Sequence, residues 1–144
     1  MSDVVNKLSV ILADTYALYL KTQNYHWHVR GSQFKSLHEL FEKQYRELAE
    51  AVDLLAERLI ILGHTAPATF KAFEQLKTIK DGDSSSTAKQ MVMELAGDHT
   101  SLVRDLNSAM KVVQHNNDEG TVTILADRIV SHEKSRWMLS ASHD

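Results

Sequence analysis

The chain has 144 residues, a formal net charge of −3, five Gly, one Pro and no Cys. The length allows one domain with a real core. The lack of Cys excludes disulfides and thiolate metal sites, and the charge does not favour whole-surface attraction to nucleic acid. So few helix-breaking residues favour long helices over many short strands.

The first helical segment covers roughly residues 3–30, with Leu8, Ile11, Thr15, Leu18, Thr22, His26 and Val29 at three-to-four spacing and Gly31-Ser32 ending it. Asp3, Lys7 and Asp14 interrupt its apolar residues, and no small-residue cleavage site follows, so no signal peptide is expected. The second segment runs from about Phe34 to Leu62 along the stripe Phe34, Leu37, Phe41, Leu48, Val52, Leu55, Leu59 and Leu62, with Gly63 and Pro67 beyond it. A short helix is expected over Ala68–Lys77. The loop from Asp81 to Ser86 then leads to a Ser or Thr87 cap, and the next helix reaches about His115. Its inward face is Val92, Leu95, His99, Leu102, Leu106, Ala109 and Val113. After the turn Asn116–Gly120, a last helix runs from about Thr121 to Ser140. No stretch is long and apolar enough to span a membrane. The whole chain, residues 1–144, is expected to be one all-α domain, a four-helix bundle with a short extra helix in its single long connection.

The second helix carries His38, Glu42, Asp53 and Glu57. At about 100° per residue these fall near 0°, 40°, 60° and 100°, beside a core stripe at roughly 260–320°. Glu39, Arg46 and Glu50 lie nearby and fit an ordinary solvated flank, and carboxylates four apart are common on exposed helices. His26, on the apolar stripe of the first helix, read alone is a core residue. Together, two His and three carboxylates form a nitrogen and oxygen ligand set suited to iron, manganese or zinc.

Fifteen residues separate His38 from Asp53, about 22 Å along a straight helix. Metal–ligand bonds are about 2 Å, so these two cannot hold one ion within a chain. The pairs His38/Glu57 and Glu42/Asp53 share a midpoint between Glu47 and Leu48. Two copies of this helix packed antiparallel about a two-fold axis there would bring His38 to the partner's Glu57 and Glu42 to the partner's Asp53.

Asn24-Tyr25-His26-Trp27-His28-Val29-Arg30-Gly31, Phe34, Leu37-His38-Glu39, Phe41, Tyr45, Asp53 and Ala56-Glu57-Arg58 resemble the signature of the Dps family of mini-ferritins. Weaker similarity continues through Asp118–Thr121 and Glu133–Leu139. The resemblance implies a ferritin-like bundle assembled as a hollow homo-dodecamer in the cytoplasm. It implies ferroxidase sites between two-fold-related subunits, with His26 and His38 from one and Asp53 and Glu57 from the other. Glu42 would help at a second, weaker metal position, and Trp27 would lie beside the site, either packed in the core or redox-active. Ferrous iron and hydrogen peroxide are the implied reactants, other divalent metals are admissible in the site, and ferric mineral is stored in the shell. A bundle-centred ferritin site uses Glu-x-x-His, a motif this sequence lacks.

His28 lies on a different side of the first helix from His26 and is read as a surface or interface residue. His64, His99, His115, His132 and His143 show no partner pattern in the sequence. The resemblance places Asp118, Glu119 and Asp127 near a three-fold pore, although acids at a helix start are also ordinary. The alternative reading is a DNA-binding, nucleoid-organising protein of the same family. Met1–Val5 and Ser140–Asp144 carry no Lys or Arg, so the basic arm such binding needs is not expected.

Overall fold

A computed structural model describes residues 2–142, apart from the side chain of Ser2. The expectation for His143, and part of the reading of the two tails, fall outside these residues. Five helices follow in order: α1 (Ser2–His28), α2 (Phe34–Ile61), α3 (Phe70–Leu76), α4 (Ala88–His115) and α5 (Glu119–Ser140), with no strand among the described residues. Among the described residues no helix is long and apolar enough to cross a membrane.

The helix limits have local causes. Gly31 at φ +116° takes a backbone conformation that side chains disfavour, which lets the chain reverse between α1 and α2. Thr87 accepts from the Gln90 amide at 3.1 Å while the Gln90 side chain accepts from the Thr87 amide at 2.9 Å, a reciprocal cap that starts α4. Asp118 caps α5 by accepting from the Thr121 amide at 3.1 Å, so α5 begins two residues before the expected Thr121. A Cβ at Gly120 would lie 2.5 Å from the Arg58 guanidinium, so a side chain there would push that guanidinium off Asp118.

The α1–α2 and α4–α5 pairs pack as two hairpins, α1 also lies on α4, and α3 lies on α1. Every inward position expected for the first and fourth helices is buried. The core forms two clusters. One gathers Leu18, Tyr25, Leu37, Phe41, Leu95 and Leu102; the other gathers Leu8, Leu12, Leu55, Leu59, Leu106 and Leu125. Phe34 departs from the expected stripe, being 43% exposed and stacked on the His38 ring at 4.9 Å. Between Leu125 and Leu139, the buried positions of α5 are Arg128 and His132, so polar side chains occupy that part of the interior.

The long connection from α2 to α4 is fastened rather than slack. Asp14, buried on α1, accepts from the Thr78 amide at 2.6 Å, the Thr78 hydroxyl at 2.7 Å and the Ile79 amide at 3.0 Å. These bonds supply the partners a buried carboxylate requires.

Candidate metal centre

The turn between α1 and α2 brings His26, near the end of one helix, against His38, one turn into the next. Their rings stack 3.8 Å apart at 13°. Each Nδ1 lies 2.7 Å from the main-chain oxygen of the other residue. A carbonyl oxygen only accepts, so each Nδ1 carries the proton and donates it. In the neutral rings both Nε2 atoms then keep free lone pairs, the form in which imidazole binds a metal.

Glu42 completes the cluster. Its Oε1 lies 3.7 Å from His26 Nε2, while Oε2 accepts from Arg46 Nε at 3.1 Å. Among the described residues, His26, His38 and Glu42 form a group whose ligand atoms all lie within 4.8 Å of one another. Tyr45 stands edge-on to His26 at 5.3 Å, and Phe34 stacks on His38 from the other side. Ring packing and main-chain hydrogen bonds thus fix both imidazoles before any ion arrives.

Asp53 and Glu57 are exposed on α2 and do not join this cluster. The helix is unbroken from Phe34 to Ile61, so the separation of about 22 Å between His38 and Asp53 stands. Trp27 is 59% exposed and is not core packing within its own chain. His28 is exposed, and its Nδ1 bonds the Asn24 oxygen at 2.8 Å, in keeping with a surface role.

Asp118 is engaged elsewhere. It pairs with Arg58 at 2.8 Å and accepts from the Thr121 amide and hydroxyl. Those bonds outweigh partial burial and hold its carboxyl below the usual range. Glu119 and Asp127 are exposed.

Sequence reading missed a second histidine pair. His99 on α4 and His132 on α5 are both 1% exposed, with their Nδ1 atoms 2.8 Å apart. Arg128 Nη2 lies 3.0 Å from His132 Nε2, and Arg128 Nη1 reaches Glu47 of α2. The signal was present in part. His99 stands on the α4 stripe, and Leu125, Arg128 and His132 follow helical spacing.

Comparison with known proteins supports the same architecture. The family model described as a ferritin-like domain matches residues 5–144. A relative from Bacillus anthracis named DNA protection during starvation protein 2 is 35% identical, covering 96% of this chain and 94% of its own. The crystal structure of a Dps protein from Bacillus brevis superposes with a TM-score of 0.94 at 35% identity, covering 98% of this chain and 97% of that one. A Vibrio cholerae Dps structure, described as a member of a broad superfamily of ferritin-like diiron-carboxylate proteins, gives a TM-score of 0.93 at 29% identity. It covers 97% of this chain and 88% of that one.

Proposed function

The chain belongs to the ferritin-like family and to its Dps branch, and from that premise we propose that it oxidises ferrous iron at sites shared between two subunits. The observation that carries this reading is the half-built centre: two imidazoles with free Nε2 atoms beside Glu42, and two exposed carboxylates far along the same helix. A partner α2, antiparallel about a two-fold axis near Glu47 and Leu48, supplies Asp53 and Glu57 to complete it. Leu20, Trp27 and Phe70, each at least half exposed, line one open cleft between α1 and α3 and support a covered surface there, since exposed apolar patches mark interaction sites. A homo-dodecameric shell extends that pairing.

Iron is the substrate. Neutral imidazoles and hard carboxylates fit ferrous iron, and the carboxylates favour the ferric product. His26 and His38 hold the ion through Nε2 while their Nδ1 protons stay on main-chain oxygens. Asp53, Glu57 and Glu42 offset its charge. Hydrogen peroxide, the oxidant, takes one electron from each of two ferrous ions, its O–O bond breaks, and its oxygens leave as water or in ferric hydroxide. Pairing the electrons avoids release of hydroxyl radical. Hydrolysis of the ferric product releases protons, and mineral collects inside the shell.

The test uses two defective variants, His26→Ala/His38→Ala and Asp53→Ala/Glu57→Ala. Each alone should lose rapid peroxide-dependent formation of ferric absorbance. After dissociation, mixing and reassembly, random pairing makes about half of the dimers mixed, each with one intact site. About a quarter of wild-type sites should therefore return. No recovery after verified mixing rejects the shared site.

A further inference from the structure

The His99–His132 pair lies outside the metal centre, and its protons can be placed. An Arg guanidinium only donates, so His132 Nε2 accepts from Arg128 Nη2. A neutral imidazole has one N–H, so His132 carries its proton on Nδ1 and donates to His99 Nδ1. His99 must then be protonated on Nε2, a buried atom with no partner among the described residues. The chain of donors runs one way, from Arg128 through His132 to His99, while Arg128 also donates to Glu47. It joins α2, α5 and α4.

A third proton on the two rings has no acceptable place. On His99 Nδ1 it would face the N–H of His132; on His132 Nε2 it would face the N–H of Arg128. Either adds a buried cation next to the guanidinium. The groups facing the pair are Glu47 from α2 and Arg128 and Arg136 from α5; the α4 acids Glu94 and Asp98 are paired with Lys21 of α1. Burial first, then Arg128 and Arg136, push His99 down to about 3. Burial, His99 and Arg128 hold His132 well below its ordinary value.

We propose that the Glu47–Arg128–His132–His99 chain is an acid-sensitive lock inside the subunit, which a third proton on the imidazole pair breaks, destabilising the fold. Unfolded imidazoles titrate near 6.5, about where protons begin to bind the unfolded chain and not the folded one. The lock's contribution is therefore complete above that pH and is lost progressively as pH falls toward the folded values. Each ring weakens the folding equilibrium by about tenfold per pH unit in that window, and the two together by about a hundredfold. Ordinary carboxylates enter only near pH 4; burial raises Asp98 against the pull of Lys21, and that group is common to the wild type and to any variant of the two rings.

The experiment follows chemical denaturation of metal-free protein from pH 7 to pH 5, for wild type and for His99→Gln/His132→Gln. The wild-type folding equilibrium should fall more steeply, by about a hundredfold per pH unit at the low end. Parallel curves overturn the proposal. Should the variant not fold, exchange of the imidazole C2 hydrogens of the wild type, read by mass spectrometry from pH 4.5 to pH 8, decides. His99 and His132 should show no titration step in that range, and a step near pH 6.5 at either ring overturns the lock.

Discussion

His26 and His38 form one close pair of imidazoles in this subunit, and His99 and His132 form another; they differ in what stands opposite their nitrogens. In the first pair each ring meets a main-chain carbonyl, spends its proton there, and keeps a lone pair for an ion. In the second, Arg128 is a fixed donor, and the lone pair it claims sets the proton of each ring in turn. One arrangement is open to a cation, and the other already contains one. Presence of two histidines is thus a poor guide to metal binding until their hydrogen-bond partners are known.

The comparison can be broken most severely at Arg128. Arg128→Met leaves the His132 acceptor without its donor and Glu47 without its cation. Removing one partner from a buried network typically costs on the order of 3 kcal/mol, discounted for Glu47, which is 41% exposed. Denaturation at pH 7 should show a loss of about 2–3 kcal/mol, while zinc binding at His26 and His38 is retained.

His38→Ala should produce the reverse pattern. It removes a free Nε2 and the His26 stacking partner, so zinc affinity should fall by at least the roughly tenfold to a hundredfold typical of losing a supporting partner. Calorimetry of the assembled protein measures this. Stability of the metal-free protein should change by only about 1 kcal/mol, the worth of one hydrogen bond. A large stability loss with affinity unchanged would assign this pair to packing.

The smallest effect sharpens the contrast among carboxylates. Asp118 commits both oxygens to Arg58 and Thr121, whereas Glu42 leaves Oε1 facing His26. The folded-state pKa of Asp118 is depressed, so its contribution is present above about pH 4, the ordinary aspartate range, and is lost as pH falls through the lower folded value. Asp118→Asn should cost about 1 kcal/mol at pH 7, a cost that shrinks as pH falls below about 4, read by denaturation at stepped pH values.

Helical spacing made much of the fold readable. The stripes of α1 and α4 predict buried side chains at every position named, because each helix turns one face to a single bundle interior. Phe34 broke the pattern since it stands in the first turn of α2, where the reversing chain brings His38 rather than core beneath it. His26, His38 and Glu42 were legible through motif and spacing, and the fold brings them together. His99 and His132 were not, because 33 residues separate them and their meeting depends on how α4 and α5 are rotated against each other. Asp14 was invisible as a tether for the same reason: its partners are mainly amides, which carry no residue identity.

That tether also divides the chain into regions of different tolerance to length. From His64 to Thr69 the connection has no buried residue, and added residues there can bulge into solvent. At Thr78 and Ile79 the spacing is set by a carboxylate that must meet two successive amides at once. One residue more or fewer at that point would withdraw the donors and strand a buried charge. Asp14 therefore acts as a ruler: related chains can vary in length before this point far more readily than at it.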